Sequence, residues 1–420
     1  MLRTRRFEAG LAIAALACLL TGCSAAPAPT MGPIPTPTPL PAGDGILTVG
    51  TLFPVTGPQA FIASAQVAGV DLAVKEINET GGVLGKSIVV VHSDSGEAKE
   101  KKLEASFDAL VDKQVDVIVG PSSSVLAERI LPAAVTAGIP LISPAATAPR
   151  LSGLDDEGML FRTISSAAMQ GAVLAELASA GEEARLAVLY FDDDTGRATA
   201  ATATAAVYEL GGRLVASEKF TAQAKDFAPI LATVAASQPD AVILASPFSA
   251  MEQNKAVITA LTAAGLGKER LWLIGGNLAD YSQALPAGTL VGARGVIEGA
   301  KPDKAFQDRV KSVGQSVTDF RYAAEAYDAV MLAALAAIVA GNDSGVAVAH
   351  TLVDASAGGI KCLSFGECRT VLKTQDDIDY DGISGPVNLT QDGDPDRAFF
   401  GVYQYNAENK FTRVAGVVAG

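Results

Sequence analysis

Residues 115–147, VDVIVGPSSSVLAERILPAAVTAGIPLISPAAT, read as strand, helix and strand. Val115–Val119 and Ile139–Ile142 are short apolar runs of the kind that lie buried on both faces of a parallel sheet. A helical run starting at Val125 connects them, and each strand opens into a loop of small and polar residues. The same alternation extends in both directions. Ile46–Thr51 and Ile88–His92 precede it as further strands. Between those two, Val67, Val70, Val74 and Ile77 recur at helical spacing over Ser64–Glu79, and Gly81-Gly82 stop the helix. A second series follows: Leu186–Phe191, Arg213–Glu218, Ala241–Ala245 and Leu271–Ile274, separated by Ala-rich helical segments. Two runs of βα units predict an α/β protein of two doubly wound parallel-sheet lobes, and 420 residues suffice for two such cores.

Ligands of open α/β sheets bind at the carboxyl ends of strands. The loops to weigh are therefore Gly120-Pro121-Ser122-Ser123-Ser124 and Ser143-Pro144-Ala145-Ala146-Thr147. A serine beside a helix start serves as an N-cap, but free amides, the helix dipole and hydroxyls at the same place also favour an anion. The Ala145-Ala146 backbone is open to close approach. Together the two loops suit one carboxylate.

The N-terminus is a targeting segment. Arg3, Arg5 and Arg6 precede the apolar Leu11–Leu20, which at ten residues is too short for a bilayer that needs roughly 20. Leu20-Thr21-Gly22-Cys23 resembles a bacterial lipobox, which implies removal of residues 1–22 and lipid on Cys23; ordinary secretion with Cys23 unmodified is the alternative. Residues 23–44, rich in Pro, Ala and Thr, read as an extended tether. Cys18 leaves with the leader. Cys362 and Cys368, five residues apart in an exported chain, are expected to form a local disulfide.

The net charge of −14 argues against nucleic-acid binding, since phosphate contacts need clustered Lys and Arg. GGVLGKS lacks the first glycine of a phosphate loop, with Thr80 in its place, and joins helix to strand. No G-x-S-x-G is present, and His92 and His350 read as structural residues. Asp377-Ile378-Asp379-Tyr380-Asp381-Gly382 imitates an EF-hand start, yet Asn388 stands where the closing glutamate belongs. No enzyme, cofactor or metal is expected.

The ordered stretches VAGVDLAVKEINETGGVLGKSI, VDVIVGPSSS, GIPLISPAATAPRLS, FRTISS, AYDAV and DGISGPVNLTQDGDP resemble the Leu/Ile/Val-type periplasmic binding proteins of ABC importers, across nearly all of residues 46–420. The resemblance implies a Venus-flytrap fold with a three-crossover hinge, a monomer that binds a small amino acid or carboxylate, and a membrane permease as partner. Expected lobes are 45–162 with 296–360, and 163–295 with 361–420; expected crossovers are Phe161–Ser165, Gly295–Gly299 and Ile383–Leu389. The resemblance assigns the carboxylate to Ser124, the Ala145 backbone, and the backbone and hydroxyl of Thr147. Thr195 stands where the family often has Tyr, and Asn277 where it has the acidic partner of the α-ammonium. Asp280 or one of Asp192–Asp194 replaces that partner, or the ligand is not a standard α-amino acid. Phe61 and Phe248 fall in loops near the expected cleft, as pocket lining or as core.

Overall fold

The computed structural model describes residues 40–420 except 58, 180 and 182. The leader 1–22, Cys18, the lipidation call at Cys23 and tether residues 23–39 lie outside the described residues. Strands β1 (Thr48–Phe53), β2 (Val89–Asp94), β3 (Val117–Val119), β4 (Leu141–Ser143) and β5 (Leu160–Arg162) form a parallel sheet in the order β2-β1-β3-β4-β5. Helices α1 (Ala60–Glu79), α2 (Lys102–Asp112) and α3 (Ser124–Ala137) connect its first four strands. Ile88–His92 was expected to be buried on both faces. Instead β2 is the sheet edge, and its side chains are exposed or half-buried.

After α4 (Met169–Ala178), a second sheet is built from β6 (Arg185–Phe191), α5 (Asp194–Glu209), β7 (Arg213–Phe220), α6 (Ala228–Ala236), β8 (Ala241–Ala245), α7 (Met251–Ala263), β9 (Leu271–Leu273) and β10 (Arg294–Glu298). The chain returns to the first half as α8 (Lys304–Val313), α9 (Ala323–Ala340), α10 (Gly345–Ser356), β11 (Ile360–Cys362), α11 (Phe365–Val371) and β12 (Ile378–Tyr380). It ends as the hairpin β13 (Ala398–Tyr405) and β14 (Phe411–Ala419), which adds antiparallel to β10. The second sheet therefore runs β14-β13-β10-β9-β8-β6-β7. In each half the strand order reverses beside the first strand, at β1/β3 and at β6/β8, and so opens a crevice at the carboxyl ends.

Two of the expected boundaries move. Val296–Glu298 belongs to the second sheet, because β10 pairs with β9 and β13. Cys362, Phe365, Cys368, Ile378, Tyr380, Val387 and Leu389, expected in the second lobe, pack into the first core. Asp328, buried in α9, causes this. It accepts hydrogen bonds from the Tyr380 hydroxyl (2.7 Å), the Ile383 amide (3.1 Å) and the Ser384 amide (2.7 Å). The third passage between halves is thus 390–397 rather than Ile383–Leu389. Cys362 and Cys368 are joined as a disulfide. Helix α9 is long and apolar enough to cross a membrane, yet it is a buried core helix of the first half.

Residues 40–44, expected as tether, contact the first half: the Pro41 carbonyl accepts from Asn342 Nδ2 and Ser344 Oγ at 2.8 Å each. Nearby, Asp116 accepts the Thr48 amide at 2.8 Å. Burial, with Asp343 and Asp44 adding repulsion, pushes its carboxyl up to about 7. The unfolded chain ionises this group near pH 4. Raising the pH from 4 to 7 therefore removes stability, because the folded form holds the proton more tightly. Asp116→Asn, which keeps an acceptor for Thr48, is expected to raise the melting temperature more at pH 8 than at pH 4.5; equal shifts at both pH values would contradict this account.

Candidate functional site

In the first half, β3 and β4 end side by side, so their following loops meet. Gly120 has φ +118°, and a Cβ there would lie 2.5 Å from the Leu52 carbonyl; only glycine lets the loop turn this close to β1. Ser123 occupies the N-cap of α3, but no side chain caps the helix, so its first-turn amides stay open to an anion. Ser122 donates to Gln66 Oε1 at 2.7 Å, and Ser124 Oγ accepts the Ala148 amide at 3.1 Å. Ser143 donates to the Pro121 carbonyl at 2.6 Å and accepts the Ala146 amide at 3.0 Å. These bonds tie the two loops into one surface carrying Ser124, Ala145, Ala146 and Thr147.

Arg162, at the end of β5 and 1% exposed, fixes that surface from beneath. Its Nη1 donates to the Ala146 and Ala148 carbonyls at 3.2 and 3.1 Å, while Nε and Nη2 bind the Asp394 carboxylate. The Ala167 amide donates to the Thr147 carbonyl at 2.7 Å, which joins the loop to the first passage between halves. Sequence reasoning missed Arg162, Asp394 and Gln66. Their partners lie far away in the chain, and no local spacing announces them.

In the second half, Asp193 caps α5 by accepting the Gly196 amide at 2.7 Å. Asp192 is held by Arg197 (2.8 Å) and Lys219 (3.0 Å). Asp194 accepts the Arg150 amide across the crevice at 3.1 Å, and the Arg150 guanidinium reaches Glu128 at 2.7 Å. This contact brings Thr195, half-buried in the first turn of α5, towards the loop of Thr147. All three aspartates are therefore engaged by groups of the protein itself.

Asn277 lies in the turn after β9, fully buried. Its Nδ2 donates to the Leu244 carbonyl and Ser246 Oγ, both at 2.9 Å, its backbone carbonyl accepts the Tyr281 hydroxyl at 3.0 Å, and its Oδ1 has no partner in the protein. Asp280 is exposed, accepts the Ser282 amide at 2.9 Å, and is held below the usual carboxylate range by Ser282 and Lys410. Phe248 is 64% exposed in the turn after β8, and Phe61 is 54% exposed in the first turn of α1, stacked under Arg321. Neither is core. In the calcium-like segment, Lys361 lies 3.3 Å from Asp379 and 2.8 Å from Asp381, so an ammonium already neutralises these carboxylates.

Two further carboxylates stand at the junction of the halves. Glu298 ends β10, which runs parallel to β9, and so lies at the same sheet edge as Gly275–Asn277. Glu325, in the first turn of α9 and 1% exposed, accepts the Ala300 amide at 2.8 Å; burial pushes its carboxyl up to about 7. Burial raises Glu298 as well.

Residues 46–409 match the family described as periplasmic binding protein. The chemotactic signal transduction system substrate-binding protein BasB of Halobacterium salinarum is 28% identical over 82% of this chain and 83% of its own length. Leu/Ile/Val-binding protein homolog 3 of Brucella melitensis is 25% identical over 73% of this chain and 83% of its own. An ABC transporter substrate-binding protein of Desulfitobacterium hafniense, solved in complex with Leu, shares the fold at a TM-score of 0.63 and 23% identity, over 88% of this chain and 99% of that one.

The bonds of Asn277 Nδ2 hold the turn after β9 to the end of β8. Asn277→Ala removes donors to two buried acceptors and is expected to lower unfolding stability by about 1–3 kcal/mol. Solute affinity should change less than twofold, as checked by denaturant unfolding and calorimetry; a larger affinity loss would return Asn277 to the site.

Proposed function

Since the chain belongs to the periplasmic binding protein family, we propose that it is an extracytoplasmic solute-binding lipoprotein of an ABC importer. It captures an amino acid or related small carboxylate by closure of its two halves and delivers it to a membrane permease. The observation that carries this reading is the joined surface of the loops after β3 and β4. Open amides at the start of α3, the Ser124 hydroxyl and the half-buried Thr147 belong to it with no cation among them, a set suited to a carboxylate. Ligand transfer requires binding and release without chemistry, and polar neutral donors supply that. Lipid on Cys23 would hold a monomeric receptor at the outer face of the membrane.

A second reading is a sensor that reports solute to a signalling partner. The similarity to the Halobacterium chemotactic signal transduction system substrate-binding protein favours it. Import and sensing share the same capture step. Loss of labelled-solute uptake in a deletion strain would support import, whereas intact uptake with lost chemotaxis would support sensing.

A thermal-shift screen of residues 45–420 against amino acids, amides, ureas and small carboxylates identifies the solute, because a ligand of the folded state raises the melting temperature. Thr147→Ala is then expected to weaken binding of that solute by about 1–3 kcal/mol, the scale of a lost hydrogen bond to a charged group. Unchanged affinity in calorimetry removes Thr147 from the site.

A further inference from the structure

The three passages between the halves enclose a small cavity. Ile164 and Ser165 come from the first passage, Gly299 from the second, after β10, and Arg397 from the third, with Phe399 at the start of β13; Glu325 of α9 closes it. Its volume of about 10 Å³ accommodates a single water. Two side chains inside lack a partner in the protein. Ser165 is fully buried with its Oγ unbonded, and Glu325, 1% exposed, has an unbonded Oε2. Buried polar atoms are almost always hydrogen-bonded, and two unbonded ones in a cavity of this size share whatever it holds.

Glu325 is tied to the passages by its other atoms. Its Oε1 accepts the Ala300 amide of the second passage at 2.8 Å, and its backbone carbonyl accepts the Thr163 hydroxyl of the first at 2.8 Å. Gly299 has φ +101°, and a Cβ there would lie 3.0 Å from Glu325 Oε1, so glycine lets the second passage come this close. The Gly299 amide in turn donates to the Phe399 carbonyl at 3.0 Å. Glu325 therefore touches, directly or through Gly299, all three connections that turn when the halves move.

The charges around Glu325 leave it without a counter-ion. Burial, with repulsion from Asp328 one turn along α9, pushes its carboxyl up to about 7. Asp328 itself is held by Tyr380 and Ser384. Burial raises Glu298, at the end of β10, and the Tyr322 hydroxyl, at the start of α9. Arg321 pairs with Asp319, while Lys301 and Arg397 are exposed and neither bonds to Glu325.

We propose that Glu325 is a proton switch in the hinge: its neutral carboxyl, joined to Ser165 Oγ through one enclosed water, holds the three passages in the sealed arrangement, and ionisation opens them. A neutral carboxyl donates as well as accepts, so it satisfies the water and through it Ser165. A carboxylate in the same place is a sealed charge with no partner, and solvent entering between the passages relieves it. Opening returns the group to its ordinary range, about 4.3. The proton therefore favours sealing most below that value, less as the pH rises towards about 7, and not at all above it. This switch rests on the closure of the halves in the reading above, and it makes capture stronger on the acid side.

The test is hydrogen exchange of the full chain, read by mass spectrometry on peptides covering the three passages and corrected for the intrinsic pH dependence of exchange. In wild type, protection of the passages should fall about 10- to 100-fold from pH 5 to pH 8 and level off above about 7. Glu325→Gln, which cannot ionise, should keep protection within twofold across the same range. A second variant, Ser165→Ala, removes the acceptor for the water and should lower the levelling pH by about half to one unit. Melting curves confirm that each variant is folded. A flat wild-type profile, the same fall in Glu325→Gln, or an unmoved levelling pH in Ser165→Ala overturns the switch, whatever solute the thermal-shift screen finds. Failure of that screen overturns capture and leaves the exchange profile as it is.

Discussion

The clamp between Arg162 and Asp394 is the constraint on which the rest of the site depends. These residues are 232 positions apart and stand at the first and third passages between the halves. The guanidinium is buried, and a buried ion pair is stable only when its remaining donors are satisfied. Here they are: the Ala146 and Ala148 carbonyls and the Ser152 hydroxyl take the donors that Asp394 leaves. The Arg162 amide in turn donates to the Gly393 carbonyl at 2.8 Å. One side chain thereby fixes the shape of the loop after β4 and the spacing of two strands of the hinge. Movement of the halves has to be absorbed beyond this clamp, in the residues leading into α4, α8 and β13.

The two ends of the crevice follow different chemistry. Open helix amides and hydroxyls stand at the strand ends of the first half. In the second half, Asp192, Asp193 and Asp194 at the end of β6 are engaged by the protein: they cap α5, pair with Arg197 and Lys219, or meet Arg150. Glu298 and Glu325 lie instead at the junction, where burial raises both carboxyls above their ordinary range.

Strand and helix periodicity made the core of both sheets readable before any coordinates. The loops of Ser124 and Thr147 were also legible, since small polar residues directly follow strong β-branched runs. What escaped was long-range. Nothing near Tyr380 or Ser384 in the chain says that Asp328, buried in α9, captures them and carries residues 361–389 into the first core. The resemblance pointed to Asn277, and nothing near it in the chain says that its Nδ2 donates to Leu244 and Ser246, which lie about thirty residues away, while its Oδ1 stays without a partner. Glu298 lies in a strand whose pattern gives no hint that its carboxylate ends buried without a partner.

The contact of Arg150 with Asp194 has a bearing on how firmly the halves hold together. Both side chains are more than a third exposed, and an ion pair of this type contributes about 0–1 kcal/mol, less as salt screens it. At that strength it shifts the balance between apart and together by no more than about fivefold. An empty receptor bridged only there would reopen readily, so retention of cargo has to come from the cargo itself, and release needs no large force from outside.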